Sequence, residues 1–441
     1  MVAMLSFYQE VRVYLSGHSE DVVRICGVKG LNDRVDEITL FVRSMLRESS
    51  LCLIDGVFHY FDGRLYVSAS KADVLACLGN VLVEAGFSPT DVRKVGDMPL
   101  SVVLERSFVR DPNLLCFGNG TLDIRGMVYA HGFSWRRIVT ERMDYGYDHS
   151  AVCPLWDAFL CEVLPDEDVR MVLQEFFGMC YLDRSAISVE KFLLMIGSGS
   201  NGKSVIFEVM KKVLGDDNVS TFDSQQLTSE KMIPYVKGKR LNFAPDMRAS
   251  SDFDSSLKAL ASGQDVTGRR IYGDAEKVKC PPLVFALNEP PRFRDTTDAF
   301  FRRILPVRFD VVIPPERQDR HLVRKIVSSD LPGIFNWIIA GRDRLLCQGG
   351  DFTRSAKVEE YARELRTRVE VQSAPVRAYL EGRGLSVYPS YDGQKTVKVS
   401  QREIALGVGD ISPTAITREM NRYGVAAHRS REIYYRVYEC Q

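Results

Sequence analysis

Over residues 1–50 apolar side chains recur at helical spacing among charged ones, as in Asp36, Ile38, Leu40, Phe41, Val42, Met45 and Leu46. That period predicts two helices. The next stretch, LCLIDGVFHYFDGRLYVSAS at 51–70, alternates as a strand does and turns at Asp62–Gly63, a hairpin signal. Helical spacing returns over 71–86. These elements predict an N-terminal α+β module, 1–110, with no catalytic-looking constellation and a docking or assembly role. Residues 111–150 are rich in turns. From Leu155 to Leu182 an amphipathic stretch predicts two helices broken at Leu164–Pro165, with Asp166, Glu167 and Asp168 suited to a helix start.

The apolar run Phe192–Ile196 then reads as a short buried strand, followed by a glycine-rich turn and a helical pattern. Residues 237–247 form a strand running into Asp246, and 280–293 a second buried strand ending at Asn288. Between them, 257–279 carries basic and aromatic residues around a Gly273–Asp274 turn. Arg302 and Arg303 precede a third strand in 298–309. Strands alternating with helices predict a three-layer α/β domain with a mostly parallel sheet. An apolar helix follows at 331–346 and a charged helical stretch at 354–383. The tail, 396–441, reads helix, helix, hairpin, which suggests a winged-helix-like module. Arg418, Arg422, His428, Arg429, Arg431 and Arg436 would give it a basic face suited to either DNA or protein.

The turn after Ile196 carries the most specific chemistry. GSGSNGKS, from Gly197 through Ser198, Gly199, Ser200, Asn201, Gly202 and Lys203 to Ser204, fits G-x-x-x-x-G-K-[ST], the phosphate-cradling P-loop. The three glycines let successive N–H groups point inward at phosphates, and the helix adds its positive end. Lys203 supplies a mobile point charge, and the Ser204 hydroxyl completes a Mg²⁺ shell. The pattern predicts ATP and Mg²⁺ as ligands.

At 441 residues the chain is too long for one core, so two or three domains are expected. Fifty-eight lysines and arginines balance 58 aspartates and glutamates. A protein that coats DNA is usually basic, so any nucleic-acid contact here must be local, in a patch or a pore. No apolar run approaches the ~18 residues of a membrane span. The N-terminal stretch lacks a cationic leader, and ten cysteines are scattered without metal-ligand spacing. A cytoplasmic protein with reduced thiols, in a bacterial host cell, is the expectation.

The ordered segments EKFLLMIGSGSNGKS, LNFAPDM, LKALASGQDVTGRRIYGD, LVFALNEPPRF, FFRRILPVRF and LPGIFNWIIAGRDRLL resemble the superfamily 3 helicases, nearest to the phage, plasmid and poxvirus-type primase-helicases. The resemblance covers roughly 110–370. It implies an AAA+-like fold within the α/β core, a hexameric ring, and ATP-driven movement along single-stranded and forked DNA.

It also divides the chain into the N-terminal module, a helical pre-helicase segment at 111–185, an ATPase core at 186–350, and a helical linker with the winged-helix-like domain at 351–441. Carried over by residue, Lys203 and Ser204 hold phosphates and Mg²⁺, and Asp246 takes the acidic metal-binding position. Here the chain departs from the family. Many members have two adjacent acids or Ser-Glu, whereas this chain has Pro245–Asp246, so one carboxylate serves both roles or Asp252 or Asp254 assists. Asn288 matches the polar sensor. Arg302 or Arg303 matches an arginine finger, which needs a neighbouring subunit.

Arg269, Arg270, Tyr272, Lys277 and Lys279 fall where the family places a pore hairpin that tracks phosphates and stacks on bases. No primase motif precedes the region, so a separate primase or other replisome protein is expected as a partner. A replicative helicase is the function implied; a P-loop switch acting as initiator or assembly factor is the alternative.

Overall fold

The computed structural model describes residues 4–439 apart from 185–186, 248–251, 271–273, 296, 374, 388–395, 410, 424 and 430–432. It divides into two compact units, one of Met1–Trp156, Val209–Asn218 and Val323–Trp337, the other of Asp157–Glu208, Val219–Leu322 and Ile338–Gln441.

The first unit opens with three helices, Leu5–Gly17, Ser19–Cys26 and Leu31–Glu48, where the sequence predicts two. The extra break falls at His18, whose non-helical backbone ends one helix and starts the next. Phe7, Val11, Ile38, Val42 and Leu46 from these helices are buried in one core with Val74 and Val103. The strand-like 51–70 stretch forms three strands rather than two, Cys52–Ile54, Val57–Phe61 and Tyr66–Ala69. The additional turn is Asp55–Gly56, both at positive φ (49° and 78°), the geometry a tight two-residue hairpin demands.

Residues 111–150 hold a correction. The pre-helicase segment is not helical throughout: Leu114–Phe117, Gly120–Asp123, Val128–His131 and Glu141–Arg142 make a four-stranded sheet. Helix begins only at Pro154.

The second unit is built on a five-stranded sheet in the order Val219–Ser220, Leu241–Met247, Leu283–Leu287, Phe192–Ile196, Ile304–Arg308, with every pairing parallel. Its central strands are continuous apolar runs, as burial on both faces requires. Helices Glu167–Gly178 and Ala356–Ser373 belong to this unit. The two helices broken at Leu164–Pro165 lie as the sequence predicts, at Pro154–Val163 and Glu167–Gly178. Helix Leu331–Cys347 approaches closely enough that a Cβ on Gly178 would lie 2.3 Å from the Arg342 nitrogen. Beyond it come helix Pro375–Gly382, strand Leu385–Ser386, strand Thr396–Ser400, helices Gln401–Val408 and Pro413–Arg422, and strands His428–Arg429 and Ile433–Glu439. Among the described residues no helix is long and apolar enough to cross a membrane.

One buried charge fastens this unit. Glu175 is fully buried, and its carboxylate accepts from Arg344 Nε (2.6 Å), Gln348 Nε2 (2.9 Å) and the Thr353 backbone N–H (2.8 Å). Removing it strands those donors, so Glu175→Ala should lower unfolding free energy by about 3 kcal/mol in urea melts.

Candidate nucleotide site

Ligands of open parallel sheets sit beyond the carboxyl ends of the strands. Three sequence-predicted groups are gathered at that rim. Ile196 is level with Leu287 and Arg308, and Leu287 with Met247. Gly197, Asn288 and Asp246 therefore follow or flank neighbouring strand ends. The Gly197 N–H donates to Leu287 O at 3.1 Å, which sets Asn288 beside the start of the loop.

The loop Gly197–Gly202 is held from below. Gly199 and Gly202 have φ of +103° and +86°, and Ser200 has +49°, so the chain turns through conformations that favour glycine. Gly197 has no room for a side chain: a Cβ would lie 2.2 Å from Asn201 Nδ2 and 2.4 Å from Phe309 O. At Gly202 a Cβ would meet Phe159 at 2.8 Å and Val163 at 2.9 Å. Ile313 N–H donates to Ser200 O at 2.8 Å. The helix Lys203–Leu214 starts directly after, and Ser204 is exposed on its first turn.

Lys203 is buried, and its Nζ donates to Gly197 O (2.6 Å) and Asn201 Oδ1 (2.9 Å). Burial pushes its pKa down, and the Asp246 carboxylate pulls it partly back. The amine therefore lies over the loop's own carbonyls and in the field of Asp246. Asn201, buried and reaching Phe309 O at 3.4 Å, links lysine, loop and the neighbouring strand. The sequence names it only as a variable position of the motif, and that bracing role is tertiary.

Asp246 reaches the rim through an irregularity. Ala244 pairs with Phe285 and Met247 with Leu287, so Pro245 and Asp246 together oppose Ala286. Proline cannot donate to a ladder and is tolerated inside a sheet at such a bulge, which also re-aims the following side chain. Asp246 is exposed while Met247 is buried.

The two arginines separate sharply. Arg303 is buried, with its guanidinium on Glu190 (2.7 Å), Ser262 Oγ (3.2 Å) and Ala299 O (2.5 Å). The Arg302 side chain is 67% exposed, 3.8 Å from Glu190. Both precede Ile304, which pairs with Phe192, so they lie at the amino edge of the sheet. That is about 16 Å from the loop along a five-residue strand.

The basic stretch is a hairpin, Asp265–Arg269 against Ala275–Lys279. Strand alternation puts Val266, Gly268, Glu276 and Val278 on one face, and Arg269, Thr267, Lys277 and Lys279 on the exposed other face. Arg270 is engaged within the chain, 3.2 Å from Glu276 and over the Tyr235 ring. Tyr272 lies outside the described residues.

Residues 87–165 match the family described as D5 N terminal like, and 195–303 match a family of unknown function, DUF5906. Over 236 residues the chain is 22% identical to a protein of Acanthamoeba polyphaga mimivirus named as a helicase, covering 49% of this chain and 24% of the relative. Over 219 residues it is 26% identical to proteins of African swine fever virus named as primases, covering 44% and 22%. The chain thus matches less than a quarter of the length of these relatives. Its fold is similar to the apo C-terminal region of NrS-1, with TM-scores of 0.53 and 0.52 at 11% and 10% identity, covering 91% of this chain and 98–99% of that one. The similarities are thus to parts of viral proteins named as a helicase and as primases.

The contrast between the arginines predicts different costs. Arg303→Ala should destabilise the fold by about 3 kcal/mol, because it leaves Glu190 without its close partner. Arg302→Ala should fall within about 0.5 kcal/mol of the parent in the same urea melts.

Proposed function

We propose that this chain is an ATP-dependent DNA helicase of a replication system, working as a ring, a hexamer in the simplest case, on single-stranded and forked DNA. The observation that carries the reading is the gathering of the phosphate-cradling loop, Asp246 and Asn288 along one carboxyl rim of a parallel sheet. The donor set suits a magnesium nucleotide: inward-turning glycines too crowded for side chains, a buried lysine with its amine on the loop, and a hydroxyl and a carboxylate nearby.

When bound, Mg²⁺·ATP supplies the phosphoanhydride whose hydrolysis drives movement. Lys203 holds the phosphates. Ser204 and Asp246 would hold the metal, and Asp246 would also polarise the attacking water. Asn288 orients that water. Arg302 sits at the opposite edge of the sheet, too far to serve the nucleotide of its own subunit, so as a finger it acts on a neighbour's. This favours Arg302 over Arg303, whose guanidinium is committed to Glu190 and Ser262.

Arg269, Lys277 and Lys279 on the exposed hairpin face would track the phosphates of one strand. Repeated around a ring, they give a basic channel in a chain of zero net charge. A separate primase or replisome protein would supply primers.

The reading is tested by ATP turnover with and without single-stranded DNA, beside strand displacement on a fork. Lys203→Ala should abolish turnover. Lys277→Ala with Lys279→Ala should keep basal turnover and lose displacement. Turnover indifferent to DNA, with no displacement, would replace the motor by an ATP-dependent initiator or assembly switch. Mixing Arg302→Ala with Lys203→Ala subunits should restore part of the turnover that each lacks alone; no restoration would remove the finger in trans.

A further inference from the structure

The loop between strands Val128–His131 and Glu141–Arg142, in the first unit, holds rings and cations that the motor does not use. Residues 128–140, VYAHGFSWRRIVT, carry three aromatic side chains, one histidine and two arginines, and no acid.

The loop is fastened from beneath. Phe133 packs half-buried against Leu65, Cys116 and Val139, and Ile138 against Cys52, Ile54 and Tyr66. Tyr66 Oη donates to Trp135 O at 2.6 Å, and the Tyr66 N–H to Val139 O at 2.7 Å. The Arg137 N–H donates to Ser134 O at 3.0 Å, and its guanidinium to Thr121 Oγ1 at 2.8 Å. The backbone around Trp135 is therefore fixed on both sides while its ring stays outside.

Trp135 is 45% exposed, whereas Trp156 is buried and Trp337 half-buried. The Arg136 guanidinium lies over the Trp135 ring, 5.6 Å from its centroid, and the Arg64 guanidinium over Phe133 at 5.4 Å. Arg64, His131, Arg136 and Arg137 are all exposed. Among the described residues neither Arg64 nor Arg136 sits in an ion pair. The nearby acids are engaged elsewhere. Asp62 Oδ1 accepts from the N–H groups of Arg64 (2.8 Å) and Leu65 (2.9 Å), Glu141 is buried with Arg110, and Asp144 is held by Arg142 at 2.6 Å.

We propose that this loop binds single-stranded nucleic acid, with a base stacked on Trp135 and the flanking phosphates on Arg64, Arg136 and Arg137, a site additional to the hairpin of the second unit. Stacking needs an unpaired base, because a duplex keeps its bases turned inward, and the arginines supply the charge that a backbone demands. A ring with a guanidinium over it suits both parts of a nucleotide. A protein-docking face would instead deplete charge at its centre, whereas here a cation accompanies each ring. The rigid seat favours binding as well, since little loop ordering remains to oppose it.

The test uses the full chain without nucleotide, titrated with oligothymidylate and oligouridylate of about 20 nucleotides while tryptophan emission is followed. A base stacked on Trp135 should quench that emission, and the Lys277→Ala/Lys279→Ala chain should quench equally. Arg64→Ala with Arg136→Ala keeps all three tryptophans. It should weaken the affinity read by quenching about 10-fold and lower the salt slope by about 0.7 for each arginine. In anisotropy titrations of labelled oligonucleotide with the hairpin-substituted chain, Trp135→Ala should weaken binding about 10-fold and Trp135→Phe less than about 3-fold. Quenching by either oligonucleotide carries the proposal, and the ratio of the two affinities tells DNA from RNA. No quenching by either, or an affinity that the arginine pair leaves unchanged, would overturn it, and the loop would then be a protein-contact face. These titrations involve no ATP turnover, so absence of turnover would count against the motor reading and leave this one standing.

Discussion

A strand paired on both edges cannot slide, and that constraint underlies the candidate site. Phe192–Ile196 is hydrogen-bonded to Leu283–Leu287 on one side and Ile304–Arg308 on the other, with all five of its side chains buried. A one-residue slip would change both ladders and reverse which face each side chain packs against. The register therefore fixes where the chain leaves the sheet at Gly197. It also sets Asn288 one residue past a neighbouring strand end and the arginines at the far end of the next. Loop geometry then needs only local support, which Asn201, Phe309, Phe159 and Val163 provide.

The same sheet bears on the hairpin. Gly268 packs so closely on Ile233 and Pro234 that a Cβ there would lie 2.5 Å from Ile233 Cγ2. Lys237, from the same turn, holds Glu276 at 2.7 Å, and the Arg269 N–H donates to Glu230 O at 2.9 Å. The hairpin is thus seated on the 230–237 segment, whose chain continues into the strand that carries Asp246. The bulge and the hairpin therefore share one support, the 230–237 segment, by chain connection on one side and by packing and hydrogen bonds on the other.

What was legible in the sequence was what depends on neighbours in the chain. The glycine spacing of 197–204 and the break at Leu164–Pro165 rest on local rules, and each lies where those rules put it, while the basic hairpin lies where the family resemblance puts it. Asp55–Gly56 carries the same turn signal as Asp62–Gly63, set between two apolar runs that read as one strand. The sheet at 114–142 was hidden because its strands are two to four residues long and separated by glycine-rich turns, too short for alternation to register. Adjacent identical residues were beyond sequence reasoning altogether. Arg302 and Arg303 differ only in which of them Glu190 and Ser262 enclose, and those partners lie 113 and 41 positions from Arg303.

Pro245–Asp246 shows why a departure from a family pattern can still be consistent with the chemistry. With paired acids the strand could run straight and still place one carboxylate at the rim. With proline in the first position the ladder loses a donor and must bulge, and the bulge itself turns Asp246 outward while returning Met247 to the core. The lone carboxylate is then placed by backbone geometry rather than by a second acid. Its charge also reaches Lys203, where it opposes the effect of burial on the amine. The substitution that makes the motif look incomplete thus supplies the conformation that a single acid needs.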